Sequence, residues 1–501
     1  MDDGYVAGTA PLRYGEVRAR WVLMATVLGS GMAFLDATVV NIALPAIGSE
    51  FGADVAGLQW TVNAYTLTLA AFILLGGSAG DRFGRRRMFL VGAVWFAVAS
   101  LLCGLAPNVE VLVGARALQG IGGALLTPGS LAILQASFRE ADRGRAIGAW
   151  SGLGGVAGAV GPFLGGWLVD SASWRLVFLI NVPLAVVVVL TTLRYVPETS
   201  DPQASRRFDV TGAVLCAVTL AALTYGLVGW GARGLVSPHT WAPLLLGVAA
   251  GVTFVQVERI SAGPMLPLGV FASGLFRAVN LVTFVVYAAL AGIFFMLVIT
   301  LQVVSGFSPT LAGSALLPVT ALMLLLSARA GELGQRIGPR LPMTIGCLLS
   351  ASGVLLLARV DAGSSYLVDV LPGTTLLGLG LSATVAPLTA SVLASAPARH
   401  VGVASGVNNA VARSAGLLLI AALPAMVGLS GDAYADPGAL ERANRLAMWW
   451  CTGLLLLGAA LSFFLVRSGT KTAEPGSVPG AVHCSVDAPP LRGSDRRDTS
   501  S

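Results

Sequence analysis

Of the 25 acidic residues in this 501-residue chain, only Asp36 falls deep inside an apolar run. A carboxyl group there can change its charge where water is scarce, which is what a proton carrier must do. Burial opposes ionisation of a carboxyl and a neighbouring guanidinium favours it, so such a couple titrates according to its access to water. Arg116 is the natural partner. Asp36 lies about nine residues before the outer end of its run and Arg116 about five residues inside the outer end of its own, roughly 13 and 8 Å of helix. The plainer reading is a static pair that fixes packing. Three histidines, His239, His400 and His483, lie in loops or in the C-terminal tail, so none offers an imidazole within a run.

Other charged residues carry weaker signals. Arg413 sits in a late apolar run, with no acidic residue at its depth in the second half of the chain. It is either solvated by a water-filled cavity beside Asn408 and Asn409 or binds an anionic part of a ligand. Asp81 stands among Arg82, Arg85, Arg86 and Arg87 at the end of the second run. A carboxylate there suits the positive N-terminal end of a facing helix, whereas the arginines alone serve as an inner-surface anchor. The single lysine, Lys471, follows Thr470 rather than the glycine of a phosphate-binding loop, so no ATP-hydrolysing loop of that kind exists. Cys103, Cys216, Cys347, Cys451 and Cys484 lie far apart without CxxC or CxxH spacing, and the first four read as small buried hydrophobes rather than metal ligands. No cofactor is implied.

The elements that hold these residues follow from composition. Charged residues are 11% of the chain, against roughly 25% in a soluble globular protein, while 55% are apolar and 62 are glycine. That balance belongs to an all-α integral membrane protein whose glycines allow close helix contact. It excludes soluble domains and leaves no case for nucleic-acid binding despite the net charge of +6. Fourteen runs of about 20 residues follow one another, from 21–44 to 446–466. Residues 1–20 are polar and carry Arg13, Arg18 and Arg20, so the first run is expected to stay as an anchor.

Alternate loops set the orientation. Arg175, Arg233, Arg359, Arg442 and Arg445 fall on one side and Arg116 and Arg413 within spans, with the remaining basic residues on the other side or in the tail. The positive-inside rule then puts both termini in the cytoplasm of a multi-pass plasma-membrane protein. The expected divisions are a cytoplasmic N-terminus (1–20), a six-helix bundle (21–196), a linker with two inserted helices (197–258), a second six-helix bundle (259–467) and a disordered cytoplasmic tail (468–501).

The division rests on an internal repeat. Gly80, Arg82, Gly84 and Arg86 recur as Gly334, Arg336, Gly338 and Arg340. Gly120 and Gly122 recur as Gly378 and Gly380, and Gly144, Gly148 and Gly158 as Gly402, Gly406 and Gly416. Spans 9–14 therefore repeat spans 1–6 as two pseudo-symmetric bundles, with spans 7 and 8 inserted, and a site is expected where the bundles meet. Arg116 corresponds to Thr374 and span 9 holds no Asp or Glu. Scaffold demands alone would apply to both halves, so charges in one half favour a functional pair.

Four motifs resemble the major facilitator superfamily, specifically its fourteen-helix drug:proton antiporter branch. They are LDATVVNIALP (35–45), GSAGDRFGRRR (77–87), RALQGIGGA (116–124) and GAVGPFLGG (158–166), and the similarity covers residues 20 to about 467. Ala79 departs from the usual leucine of the second motif. The resemblance implies proton coupling at Asp36 and Arg116, and a cytoplasmic gate built from Gly77, Gly80, Asp81, Arg82, Gly84, Arg85 and Arg86, with Asp81 facing span 13. Gly154, Gly158, Gly161, Pro162, Gly165 and Gly166 form the antiporter motif, which by its small residues permits a tight seam toward the outer half.

For the cavity the sequence offers aromatic and amide side chains on spans 1, 2 and 9: Asn41, Trp60, Tyr65, Phe284, Tyr287, Phe294, Phe295 and Gln302, together with Arg413. These suit amphipathic or aromatic ligands. Span 10 lacks an acid for divalent cations, so monovalent cations or neutral compounds fit better. The expected function is proton-coupled export of hydrophobic or amphipathic drugs by alternating access, with small-molecule substrate, protons and lipid as partners. The alternative is a dedicated exporter or importer of one metabolite, such as an antibiotic, siderophore or amino acid. An enzyme would want a loop with clustered Asp, His or Lys, and no such loop is present.

Overall fold

A computed structural model describes residues 11–200, 209–261, 263–395 and 401–466; the side-chain surroundings of 151–152, 154–159, 401–402, 432 and 435 are not described. The expected tail with Lys471, His483 and Cys484, His400, and part of the linker lie outside the described residues. The described chain is helical because lipid offers no partner for backbone N–H and C=O groups, and a helix satisfies them internally.

Among the described residues, fourteen long helices follow one another. The first six are α1 (Val17–Phe51), α2 (Val55–Phe83), α3 (Arg85–Gly104), α4 (Val109–Ser137), α5 (Glu140–Ser171) and α6 (Leu176–Tyr195). Two inserted helices follow, α7 (Val210–Arg233) and α8 (Pro238–Ile260). The last six are α9 (Gly274–Val303), α10 (Pro309–Ile337), α11 (Arg340–Leu357), α12 (Tyr366–Ala394), α13 (Val401–Met426) and α14 (Pro437–Leu465). Thirteen are long and apolar enough to span a bilayer among the described residues, and the 32-residue α5 lies alongside α1. Polar residues mark the starts: Asp54 accepts from Gly57 N at 2.8 Å, Asn108 from Val111 N at 2.9 Å and Asp209 from Gly212 N at 2.7 Å. Each satisfies an N–H that the helix leaves free.

The repeat seen in the sequence is a repeat of packing. In the first six helices α2 and α3 pack on α4, α1 on α5 and α6, and α3 on α6; in the last six α10 and α11 pack on α12, α9 on α13 and α14, and α11 on α14. The glycines explain the match. A Cβ on Gly122 would lie 2.8 Å from Phe96 N of α3, and one on Gly380 2.5 Å from Ser350 N of α11. Likewise Gly120 abuts the Tyr65 carbonyl of α2, and a Cβ on Gly378 would lie 2.8 Å from Val319 Cα of α10. Gly84 and Gly338 also correspond, with φ of 106° and 85° at the tight turns after α2 and α10.

Across the two sets, α2 meets α13, α5 meets α10 and α1 meets α9, again as a two-fold relation would require. The inserted α7 packs on both α2 and α13, while α8 packs chiefly on α7. Side chains such as Trp95, Leu102, Leu245, Leu246, Leu325 and Phe464 are exposed around the outside, an apolar surface suited to lipid.

One end of the bundle gathers the N-terminal segment and three loops. Leu12 N donates to Ser137 O at 2.9 Å, Arg18 Nε to Tyr195 O at 3.0 Å and Arg85 N to Thr199 O at 2.9 Å. This is the arginine-rich end. One apolar core spans both sets of helices and takes its first-set residues from Leu35 onward on α1 and up to Val62 on α2; a second core lies within the first set, toward the arginine-rich end.

Candidate functional site

The chemistry of the site begins with two charges that the helices have removed from water. Asp36 on α1 is 0% exposed and Arg116 on α4 is 1% exposed. Arg116 Nη1 donates to Asp36 Oδ2 and, at 2.6 Å, to Gln119 Oε1; Arg116 Nε donates to Thr61 O at 3.0 Å. The second carboxylate oxygen, Asp36 Oδ1, accepts from Gln119 Nε2 at 2.8 Å and from Asn181 Nδ2 at 3.2 Å. Gln119 also donates to Ser100 Oγ at 2.8 Å. The guanidinium rests 4.3 Å from the Tyr65 ring centroid, and Tyr65 Oη donates to Ala33 O at 3.1 Å.

Helix geometry puts these groups together. Arg116 and Gln119 are three apart on α4 and share a face. Gly120 and Gly123 let α4 close on α2, which brings Thr61 and Tyr65 to that face. Asn181 enters where α6 is interrupted at Ile180, between its first turn, Leu176–Leu179, and the segment Asn181–Tyr195. Three donors therefore converge on one buried carboxyl group, and the pair is matched in charge inside the helices.

The small residues of α5 form two contacts. Gly161 and Gly165 admit Thr38 and Val39 of α1. One residue further in each case, Gly166 packs on the Pro309 carbonyl of α10, and Gly313 of α10 packs on the Pro162 carbonyl of α5. Gly154 and Gly158 lie in the stretch whose surroundings are not described. Asp170 accepts from Thr310 N at 2.8 Å beside this seam. Away from it, Gln59 Nε2 donates to Ile420 O at 2.7 Å and Ala421 O at 2.9 Å, and Gln302 Nε2 to Ile42 O at 3.1 Å. Pro424, four residues after Ile420, lacks the N–H that this carbonyl would receive within α13, and Gln59 supplies one. All these ties lie toward the end opposite the arginines.

At the arginine-rich end Asp81 accepts from Arg85 Nε at 2.9 Å and Nη2 at 2.8 Å, within its own turn. Gly77 faces Pro128 of α4, and Gly80 lies near Arg85. Arg82 lies 5.1 Å from the Phe83 ring. Arg86 N donates to Glu198 Oε1 at 3.1 Å and Arg86 Nη2 to Leu193 O at 2.6 Å, which ties the α2–α3 turn to the segment after α6. The side-chain surroundings of Val401 and Gly402, which open α13, are not described.

The cavity candidates separate. Tyr65 is buried beneath Arg116, and Trp60 packs 6.3 Å from Tyr225 of α7. Phe295 is buried and Phe284 is exposed. Asn41, Tyr287, Phe294 and Arg413 are half-buried, and Arg413 Cζ stands 5.9 Å from the Phe34 ring of α1. Asn408 donates to Asn280 and Thr283, and Asn409 to Ser405 O, so these donors are used away from Arg413. Gln119, Ser100, Asn181 and Gln59 are the residues that sequence reasoning did not select. The spacing of Gln119 from Arg116 was the available signal.

A charge pair sealed between helices that pack as two repeats suits a protein that moves solutes through lipid by changing which face is open. Comparison with known proteins gives the class. Residues 26–421 match the family model described as Major Facilitator Superfamily, and the chain belongs to that family of membrane transporters. It is 36% identical over 422 residues to "Multidrug resistance protein Stp" of Mycobacterium tuberculosis, covering 84% of this chain and 78% of that one. It is 36% identical over 444 residues to "Tetracenomycin C resistance and export protein" of Streptomyces glaucescens, covering 88% and 82%. Among solved structures, a bacterial homologue of the human lysosomal transporter Spinster aligns with a TM-score of 0.63 at 19% identity, over 91% of this chain and 98% of that one, a likeness of fold.

Proposed function

We propose that the protein is a proton-coupled antiporter that exports hydrophobic or amphipathic compounds, with both termini in the cytoplasm. The carrying observation is the fully buried Asp36, held by Arg116, Gln119 and Asn181. Sealed as it is here, the carboxyl exchanges its proton only when the helices around it move. Bundles 21–196 and 259–467 rock on one another, with the Gly166–Gly313 seam closing the outer side and the Asp81 turn latching the cytoplasmic side in the opposite state. Proton entry neutralises Asp36 and frees Arg116, which links protonation to the motion. One proton crossing about 150 mV with a modest pH gradient supplies roughly 4 kcal/mol, which sustains roughly a thousandfold concentration ratio.

Export is favoured over import by the relatives, whose names refer to multidrug resistance and to resistance and export. The second of these names also supports a dedicated exporter of one product. Competition between chemically unrelated dyes separates the two, since a dedicated carrier admits few. The test of mechanism is proton release on addition of rhodamine 6G to purified protein, wild type against Asp36→Asn. Release by wild type and none by the variant is expected; equal release overturns the assignment of the carrier.

A further inference from the structure

Within the spans two guanidinium groups, Arg116 and Arg413, stand against one carboxyl group, Asp36. Asp36 is engaged by Arg116, Gln119 and Asn181, so a cationic ligand could reach it only by breaking those bonds. Arg413 lies 12 residues into α13, roughly 18 Å along the helix. Among the described residues it has no ion-pair or hydrogen-bond partner. The neighbouring amides donate elsewhere, Asn408 to Asn280 and Thr283 of α9 and Asn409 to Ser405 O, and among the described residues no hydrogen bond joins either to Arg413. Neither α9 nor α13 carries an acidic residue. A guanidinium left alone at this depth is costly, and such residues commonly mark a ligand's path.

What surrounds Arg413 narrows the ligand. Phe34 of α1 presents its ring to the guanidinium at 5.9 Å. Tyr287 and Phe294, seven apart on α9, and Phe34 on α1 are half-buried aromatic surfaces from both sets of helices. A forked cation beside an aromatic face matches a flat ring system bearing a carboxylate, sulfonate or enolate, which the guanidinium can hold through two hydrogen bonds. We infer that Arg413 is the anion-recognition point of the cavity and that the preferred substrates are aromatic compounds with an acidic group. The sequence favoured monovalent cations or neutral compounds because span 10 lacks an acid for divalent cations; the three bonds at Asp36 leave no free carboxylate there for a monovalent cation either. This inference rests on the exporter reading, since it places the ligand in the same cavity.

The test is equilibrium binding to the purified full-length protein in detergent at low chloride, read by fluorescence anisotropy. The probes are fluorescein, an anionic xanthene, and rhodamine 6G, a cationic one. Wild type is expected to prefer fluorescein. Arg413→Gln is expected to weaken fluorescein about 10- to 100-fold, the loss of charge-assisted hydrogen bonds, and to change rhodamine 6G by less than about threefold. Arg413→Lys, which keeps the charge, is expected to retain the preference. Equal loss of both dyes in both variants overturns the inference in favour of a packing role, and displacement of fluorescein by about 100 mM chloride, well screened at such salt, overturns it in favour of an inorganic-anion site. Tighter binding of rhodamine 6G overturns the inference alone and leaves the exporter reading in place. Binding of neither dye overturns the proposed substrate class as well, while proton coupling is judged separately from Asp36→Asn.

Discussion

Removing one member of the buried pair and then both separates the cost of burying a charge from the work the charge does. In Asp36→Asn the Arg116 guanidinium keeps Gln119 Oε1 and Thr61 O but loses its carboxylate. Stripping one partner from a buried pair costs about 3–5 kcal/mol, because the remaining charge stays buried and uncompensated. The amide still offers one acceptor oxygen to Gln119 or Asn181, so the lower end, about 3 kcal/mol, is expected. Adding Arg116→Gln removes the stranded charge, and the double variant is expected to recover to within about 1 kcal/mol of wild type. Proton release stays absent in both. Equilibrium unfolding in mixed detergent micelles measures stability, and the dye-induced pH change measures coupling. A single variant that costs less than about 1 kcal/mol refutes the sealed pair. A double variant that regains proton release places the carrier elsewhere.

Three further outcomes follow from contacts outside the pair. A Cβ at Gly166 meets backbone atoms of Pro309 and Thr310, so Gly166→Ala is expected to cost about 1–3 kcal/mol in the closed outer seam and shift the population about 5- to 150-fold toward outward-open; spin-label distances between the outer ends of α5 and α10 that do not change argue against the seam. Gln59→Leu strips the Ile420 carbonyl of the donor that Pro424 cannot supply, at a cost of about 1–3 kcal/mol, and hydrogen exchange of α13 amides near that residue is expected to quicken. Asp142 accepts from Tyr14 N and Arg139, which hold its carboxyl below the ordinary carboxylate range. Its folded value is the lower one, so the tie between the N-terminal segment and α5 is complete above about pH 4 and fades as pH falls through that lower value. Faster exchange of the Tyr14 amide at acid pH, beyond the intrinsic change, is the readout.

Charges and glycines were the legible residues, for opposite reasons. A charge in an apolar run is rare enough that Asp36, Arg116 and Arg413 stand out individually. The glycines stand out by recurrence: Gly120 and Gly378 serve one helix contact twice, as do Gly122 and Gly380. Amides are harder, because an Asn or Gln in a span satisfies itself in many ways, and whether Asn181 reaches Asp36 depends on how α6 packs against α1. Trp60 shows the same limit for aromatics, since its spacing on α2 does not distinguish a cavity from the flank of an inserted helix. Pro424 announces a freed carbonyl four residues earlier, but the answering Gln59 lies 361 residues away and only the fold pairs them. Glu198 escaped notice because a loop carboxylate gains meaning from what it meets, here Arg86. The spans themselves read short: α1 runs from Val17 to Phe51, while its apolar run covers 21–44, because hydropathy reports the part in lipid and the helix continues past it.

Placing the proton on Asp36 and an anion on Arg413 fixes the electrical character of the cycle. A monoanion leaving the cell while one proton enters moves two positive charges inward, whereas a monocation leaving in exchange for one proton moves none. At 100 mV the first case draws about 4.6 kcal/mol from the potential, more than a thousandfold in concentration ratio, and the second draws nothing. Inside-out proteoliposomes carry the test, with a lumen-positive potassium diffusion potential imposed without a pH gradient. Uptake of 2-naphthalenesulfonate, a permanent monoanion, is expected to rise steeply with that potential. Arg413→Gln is expected to lower the uptake at every voltage without changing the charge moved per molecule, since that charge belongs to the transported species and the proton. A cycle indifferent to potential would mean that two positive charges leave with the anion for each proton that enters, or that the proton travels outward with the anion, and the separate assignment of the two sites would then fail.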